Sequence, residues 1–233
     1  LCQADLARRG RGAGLVQAVT GAAVMDEALL TLLRSVDTPT VCNAIETAEG
    51  RRRFNAFTRG TVMASAPDHR AMVGYARTAR ISALAPSPDP ADVVRERRLG
   101  YYRHMSEGPR PAVAVVEDVD GADAIGAYWG EVNTNVHKSL GLDGALTNGV
   151  MRDLGDLPDG FPVLAGSVGP SHGFVHVVDF ARGARVFGLD VDEGDLVHAD
   201  RHGAVIIPPA VVPDLATAIE TLFRAEDLSL IHI

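Results

Sequence analysis

The sequence predicts a layered α/β sandwich, and three of its features indicate that fold class. Apolar residues recur at helical spacing in several segments of the first two thirds of the chain. Mostly apolar runs between those segments have the length and composition of buried strands. The last third contains short strand-like runs that are separated by turn residues at hairpin spacing. Helices mixed with strands, followed by a β-rich end, are typical of a sheet that other layers cover.

Helices and strands alternate in the first half of the predicted domain. An amphipathic helix is predicted first, because Met25 opens a run in which leucines return to one face. A second helical pattern follows, then a strand, a loop rich in proline and aspartate, a third helix and an apolar strand. In that order these elements are residues 25–34, 41–48, 71–82, 85–90, 91–105 and 112–117.

Twenty residues separate Glu131 from the pair Arg152-Asp153, and they predict a helix, a turn and a buried strand. The acid then lies at the amino end of the helix, and the pair lies at the carboxyl end of the strand. Ligands of open α/β sheets bind beyond the strand carboxyl ends, and a helix amino terminus attracts anions. Both side chains of the pair reach one site only if the chain turns there, because strand side chains alternate. The helix is residues 132–140 with Gly141 as its C-terminal cap, the turn is 143–144, and the strand is 145–151.

The remaining third predicts short strands and one closing helix. Glycine, proline and aspartate separate the strand-like runs, which favours antiparallel pairing through tight turns. The strands are residues 162–165, 174–180, 185–187, 195–198 and 204–207, and the helix is 213–225.

Several separated motifs resemble the RraA-like family over roughly residues 35 to 210. The signature is Glu131, then Arg152-Asp153, then Asp156 three residues after that aspartate. It stands between the motifs at residues 117–121 and 194–208, in the order typical of the family. The family includes the 4-hydroxy-4-methyl-2-oxoglutarate (HMG) aldolases and a regulator of ribonuclease E. The resemblance implies a β/β/α sandwich like the swivelling phosphohistidine domain, and the acid after the Arg-Asp pair indicates the aldolase side.

The resemblance also implies roles for the residues of the signature. Asp153 would bind a divalent metal directly, Mg²⁺ or Mn²⁺, while Glu131 and Asp156 would bind its waters. Arg152 would hold the carboxylate of a 2-oxo acid, since a guanidinium matches a carboxylate in two parallel hydrogen bonds. The same anion would be held from the helix start by backbone N–H groups, which belong to Gly130, Glu131, Val132 and Asn133.

The expected reaction is retro-aldol cleavage of HMG, or of a related 4-hydroxy-2-oxo acid, to pyruvate and a second carbonyl compound. A metal that acts as a Lewis acid on the keto oxygen also suits decarboxylation of oxaloacetate. Glu131 is expected to position the water that serves as acid and base. The competing hypothesis is a non-catalytic regulator that binds a protein such as ribonuclease E with the same fold. A methyltransferase is the third hypothesis, but no glycine-rich cofactor loop after a first strand supports it.

The sequence departs from the commonest family pattern at two positions. Glu131 stands where many of the family's aldolases have Asp, which can change substrate size or rate. Asn43 also falls where Asp is frequent. Aldolases of the family assemble as trimers whose sites receive a further acid from the neighbouring subunit, so a homotrimer or hexamer is expected here, although that acid has no assigned position.

Composition and charge exclude several classes of partner. A formal net charge of −8 argues against a nucleic-acid surface, because phosphate binding needs clustered Lys and Arg. The sequence contains no run of eighteen apolar residues, so no membrane span is predicted. The two cysteines, Cys2 and Cys42, form neither a disulfide framework nor a zinc pattern, which favours a reducing, cytoplasmic setting.

Other residues that carry chemistry lack the spacing that function needs. His137 is expected to be a surface or packing histidine, and His198 and His202 flank a predicted hairpin turn rather than a zinc site. Lys138 is the only lysine, so it is the residue to exclude for a Schiff-base aldolase. No nucleophile elbow or phosphate-binding loop is present.

Both ends of the chain are expected to lie outside the domain. Residues 1–24 weakly imitate a secretory signal, and Met25 is expected to be the natural start. Residues 227–233 form an apolar tail that resembles translated cloning sequence. The predicted domain is therefore residues 25–226.

Overall fold

The computed structural model describes residues 25–231, and it describes side chains as far as residue 225. The predicted layered α/β fold is confirmed. The described residues form five α-helices: α1 Glu27–Ser35, α2 Thr38–Glu49, α3 Ala91–Ser106, α4 Glu131–Ser139 and α5 Leu215–Ile231. The strands are β1 Met63–Ala64, β2 Met72–Ser82, β3 Ala112–Asp118, β4 Ala127–Trp129, β5 Leu142–Thr147, β6 Val150–Met151, β7 Val163–Ala165, β8 Ser167–Val168, β9 His176–Phe180, β10 Ala184–Val186, β11 Leu189–Val191, β12 Leu196–Asp200 and β13 Gly203–Ile207.

The main sheet has eight strands and is built around β2 and β3. Its order is β1-β7-β5-β3-β2-β12-β13, and β9 pairs with the far end of β2. Strands β2, β3, β5 and β7 are parallel to one another, whereas β12, β13, β9 and β1 run antiparallel to their partners. The first part of β2 pairs with β12 and its last part with β9, so this long strand has two successive antiparallel neighbours on the side away from β3.

The alternation of side chains along β3 shows how the layers form. Ala112, Ala114 and Val116 pack with the aromatic residues of α3 and β4 on one face. Val113 and Val115 point to the other face, where the β10–β11 hairpin covers the sheet. Helices α1, α2 and α5 form a third apolar cluster against β2, β12 and β13.

A second, small sheet carries the residues of the predicted site. Its strands β4, β6 and β8 are all parallel. The single strand predicted for residues 145–151 is therefore wrong, because the chain leaves the main sheet after Thr147 and enters the small sheet at Val150. Asn148 and Gly149 make the crossover. The side chain of Asn148 exchanges two hydrogen bonds with the backbone of Asp118, at 2.8 and 2.9 Å.

The turn predicted at residues 143–144 is also wrong, since both residues lie inside β5. A Cβ on Gly144 would meet the Met72 sulfur and the Pro162 carbonyl at 2.7 Å, so the glycine permits close packing rather than a turn. Asp143 accepts from the Val73 amide at 3.0 Å and pairs with Arg34 and Arg70.

Most other predicted elements are present with small shifts of their bounds. The hairpin expected between His198 and His202 is confirmed by the pairing of β12 with β13. The closing helix continues to Ile231 where an end at residue 225 was predicted, since neither glycine nor proline interrupts residues 226–231. The leader predicted at residues 1–24 lies outside the described residues. Between residues 25 and 231, no helix is long and apolar enough to cross a bilayer.

Candidate active site at the amino end of α4

Pairing of β4 with β6 sets the position of the candidate site. Trp129 is opposite Met151, and the Arg152 amide donates to the Trp129 carbonyl at 2.9 Å. Two chain segments therefore leave the small sheet side by side. One continues through Gly130 into α4, and the other continues into Arg152 and Asp153. This pairing places residues that are far apart in sequence at a single point.

Asp153 contacts the helix start directly. Its Oδ2 accepts from the Glu131 amide at 3.0 Å and lies 3.5 Å from Nε of Arg152. A carboxylate at this position interacts favourably with the positive end of the helix dipole. The structure thus brings the backbone of Glu131 together with the side chains of Arg152 and Asp153.

The backbone of Asp153 is in the left-handed region, with φ of 57°. Among residues with a side chain, aspartate tolerates this conformation better than most. The turn rotates the Asp153 side chain toward Arg152, although consecutive strand residues point to opposite faces. The Asp156 amide then donates to the Asp153 carbonyl at 3.0 Å, which closes the turn. The Asp156 side chain is exposed and makes no hydrogen bond with the described residues.

Only glycine fits at position 130, because the side chains of Asp153 and Arg152 lie too close to its backbone. A Cβ at this position would lie 2.5 Å from Oδ2 of Asp153 and 2.8 Å from Nε of Arg152. The Gly130 amide donates to the Tyr128 carbonyl at 3.2 Å, and the Glu131 amide is occupied by Asp153. Within the described residues, the amides of Val132 and Asn133 have no acceptor. Of the four amides expected to hold an anion, these two are unoccupied.

The candidate site is open to solvent. The side chains of Arg152 and Asp153 are 32% and 38% exposed. Apolar side chains stand on both sides, with Val132 70% exposed and Leu154 51% exposed. Three acids and one guanidinium, from Glu131, Asp156 and the Arg152-Asp153 pair, give the region a negative formal charge.

The donor set fits a hard divalent cation in a limited form. Oδ1 of Asp153 has no hydrogen bond to any described residue, so one carboxylate oxygen is available as a direct ligand. No three His, Cys, Asp or Glu side chains converge as a metal cage among the residues that the structure describes. Mg²⁺ is often held by one or two carboxylates and several waters, and this arrangement matches that mode better than a closed cage.

Asp118 is a buried acid that was not among the predicted site residues, although it lies in the motif at residues 117–121. It ends β3 beside the crossover, and its Oδ1 accepts from the Asp120 amide at 3.1 Å. Its Oδ2 is buried and has no hydrogen-bond partner among the described residues. Burial raises the pKa of the Asp118 carboxyl to about 6. The signal in the sequence was an acid at the carboxyl end of an apolar strand.

His137 is a packing histidine of α4, and its side chain is fully buried. Its ring lies 4.7 Å from the Trp129 ring and contacts tyrosines of α3 and β4. Burial lowers the pKa of the His137 imidazole to about 4, so the ring is neutral at physiological pH. The aromatic partners could not be recognised from sequence, because they come from separate elements.

A cleft of about 300 Å³ lies beside the amino end of β2 and the turn between β12 and β13. Charged side chains dominate its lining, and most have partners: Arg34 and Arg70 pair with Asp143, Arg201 with Asp68, and His202 with Asp200. Its positive and negative groups nearly balance, and the residues predicted for the site lie elsewhere.

Solved structures with a similar fold include three with TM-scores above 0.6. A protein described among novel cellulases from microbes associated with the gut ecosystem is 18% identical, with 90% of each chain covered and a TM-score of 0.71. RraAS2 from Streptomyces coelicolor, an unusual member of the RNase ES inhibitor RraA protein family, is 22% identical, with 90% of this chain and 97% of that chain covered and a TM-score of 0.63. An uncharacterized protein from Pseudomonas syringae pv. tomato is 18% identical, with 92% and 91% covered and a TM-score of 0.66.

At these identities the structural likeness concerns the fold alone. No protein with a curated functional description matches the chain. A family model does match: RraA-like, described as Aldolase/RraA, aligns with residues 38–206 and includes every residue of the candidate site. The chain belongs to the RraA-like family.

Proposed function

We propose that this chain is a divalent-metal-dependent aldolase that cleaves HMG, or a related 4-hydroxy-2-oxo acid, and decarboxylates oxaloacetate. One observation carries the proposal: Asp153 lies against the amino end of α4, with Arg152 beside it and one carboxylate oxygen without a hydrogen bond to any described residue. Membership in a family that includes such aldolases supports the same reading.

The substrate's 2-oxo acid end would be bound by Arg152 and the start of α4. The guanidinium offers paired N–H donors to the carboxylate, and the unoccupied amides of Val132 and Asn133 offer two more. Asp153 would hold Mg²⁺ or Mn²⁺ directly, with Glu131 and Asp156 binding its waters. When bound, the cation would supply Lewis-acid stabilisation of negative charge on the substrate's keto oxygen.

Glu131 would transfer protons through a water that it positions. It accepts the proton of the C4 hydroxyl while the C3–C4 bond breaks, so that C4 becomes a carbonyl and the bonding pair enters the C2–C3 enolate. The proton taken from the C4 hydroxyl would then return through the same water to C3 of the enolate, which leaves as pyruvate. With HMG the second product is also pyruvate, because C4 bears a methyl and a carboxyl group. In oxaloacetate the same enolate forms when CO₂ leaves C3.

The test is pyruvate release by the full chain from HMG and from oxaloacetate, with Mg²⁺ or Mn²⁺ and with EDTA. We expect turnover that needs the cation and falls by more than about a hundredfold in Asp153→Ala. Asp123→Asn is the matched control, since Asp123 is an exposed acid outside the site. Absence of turnover by the unaltered chain with either cation would overturn the proposal. The protein-binding alternative would then be tested as inhibition of ribonuclease E.

A further inference from the structure

We infer that Tyr101 and Tyr102 of α3 are positioning residues for the candidate site, because their hydroxyl groups fix the first turn of α4 through His137 and Asn133. The inference deepens the proposed function and rests on it for its kinetic readout. Neither tyrosine belongs to the signature from which the site was predicted, and α3 precedes the site residues by about 25 positions in the sequence.

The first connection runs through the His137 ring. Nδ1 lies 2.6 Å from the Asn133 carbonyl oxygen, and Nε2 lies 2.6 Å from the Tyr101 hydroxyl. A carbonyl only accepts, so the single N–H of the neutral ring is on Nδ1 and donates to Asn133. Nε2 is then an acceptor, and Tyr101 donates to it. Both hydrogen bonds of this connection therefore donate in the same direction, from Tyr101 to His137 and from His137 to the Asn133 backbone.

The second connection runs through the Asn133 side chain. Its Oδ1 accepts from the Tyr102 hydroxyl at 3.1 Å, and its Nδ2 donates to the Tyr128 carbonyl at 2.8 Å. Because both the backbone and the side chain of Asn133 are held, the first turn of α4 has little freedom to rotate or shift. Helix α3 and strand β4 are its two anchors.

The fixed turn is the one that contacts Asp153. The Glu131 amide, two residues before Asn133, donates to the Asp153 carboxylate, and the Val132 and Asn133 amides are those left for a ligand. A shift of the turn would move all three amides together. Displacements of about 1 Å in groups that orient a reaction reduce rates by up to a hundredfold. Tyr101 is fully buried and cannot touch a substrate, so its effect acts through position alone.

Packing without the hydroxyl groups would hold the helix less specifically. The rings of Tyr101 and Tyr102 lie 5.6 and 5.9 Å from the His137 ring, and phenylalanine would keep those contacts. A Tyr→Phe substitution therefore separates the hydrogen bonds from the aromatic packing. Tyr75 gives a matched control, because its hydroxyl lies 3.5 Å from the Met25 amide, in a different part of the fold.

The experiment compares Tyr102→Phe and Tyr101→Phe with Tyr75→Phe in the full chain. We expect faster amide hydrogen exchange in residues 131–134 in the first two variants, measured by mass spectrometry, with no such change in the control. For oxaloacetate, kcat/KM should fall by about five- to tenfold, as expected for loss of one orienting hydrogen bond. Melting temperatures should stay within a few degrees of the control.

A double-mutant cycle distinguishes positioning from a general loss of stability. Tyr102→Phe combined with Asn133→Ala should cost less in kcat/KM than the two single changes together, since both remove the same hydrogen bond. Asn133→Asp keeps an acceptor for Tyr102 and should recover part of the loss seen in Asn133→Ala.

The inference is overturned if Tyr102→Phe and Tyr101→Phe match Tyr75→Phe in exchange and kinetics, or if the cycle is additive. The exchange readout needs no turnover. An inactive chain whose residues 131–134 still respond to the hydroxyl groups would refute the proposed function and leave the positioning role intact.

Discussion

The amide of Glu131 donates to Oδ2 of Asp153 at 3.0 Å, although 22 positions separate the two residues. The contact joins the two segments that leave the small sheet. It gives α4 an acidic cap that comes from outside the helix, since Gly130 at the N-cap position has no side chain to provide one. Asp153 therefore stabilises the fold at the same point where we propose that it binds a cation, and substitutions can separate the two roles.

Substitutions of Asp153 should rank differently in stability and in activity. Asp153→Asn keeps a capping oxygen and tolerates the left-handed backbone, Asp153→Gly loses the cap but accepts the backbone, and Asp153→Ala loses both. We expect melting temperatures to fall in that order. The free energy of unfolding of the Ala variant should be about 1 kcal/mol lower than that of the Gly variant. All three should lack turnover. Equal stability of the Ala and Gly variants would contradict the left-handed conformation at φ 57°.

Gly130→Ala should reduce activity far more than stability. The added Cβ would lie 2.5 Å from Oδ2 of Asp153, so the exposed carboxylate would move and lose the Glu131 amide. We expect kcat/KM to fall by at least about tenfold, which is the scale for misplacing a group that orients a ligand. Gly169→Ala is the control, because its Cβ would crowd a Val150 methyl at 2.9 Å rather than the acid. Similar losses in both variants would indicate a general packing defect.

Two buried groups make opposite contributions to the pH dependence of stability. Burial raises the pKa of Asp118 from 3.8 to about 6, so its contribution is present below 3.8 and is lost as pH rises through 6. Burial lowers the pKa of His137 from 6.5 to about 4, so its contribution is present above 6.5 and is lost as pH falls through 4. The two pH ranges overlap between pH 4 and 6, and each group changes the free energy of unfolding by about 3 kcal/mol.

In Asp118→Asn the contribution of His137 to the pH dependence of stability should therefore no longer be offset by that of Asp118. Relative to the unaltered chain, the variant should gain stability as pH rises from 4 to 6, by up to about 3 kcal/mol. His137→Gln should show the opposite trend over the same range. Urea unfolding at several pH values measures both, with Asp123→Asn as the exposed control. Parallel stability curves for Asp118→Asn and its control would show that the Asp118 pKa is not raised.

The sequence was sufficient to predict most helices and strands, because their apolar periodicity is local. It also predicted that Glu131, Arg152 and Asp153 share one end of the fold. It could not predict the break after Thr147, since that break depends on Asn148 bonding to Asp118, 30 positions away. The left-handed turn at Asp153 was equally hidden, because a residue other than glycine gives no local sign of it. The connection of Tyr101 to His137 spans 36 positions and exists only in the packed state.

Lys138 should be dispensable for catalysis. Its Nζ donates to the Asp159 carbonyl at 2.6 Å, and it lies seven residues after Glu131, about 10 Å further along the helix axis. A Schiff-base mechanism needs a lysine amine at the substrate carbonyl, and this chain has no other lysine. We expect Lys138→Arg to keep kcat/KM within about twofold, since exposed substitutions away from a site have small effects. Borohydride added with pyruvate should leave the intact mass of the protein unchanged. A reduced pyruvyl adduct on Lys138, together with loss of turnover in Lys138→Arg, would replace the metal-dependent mechanism with a covalent one.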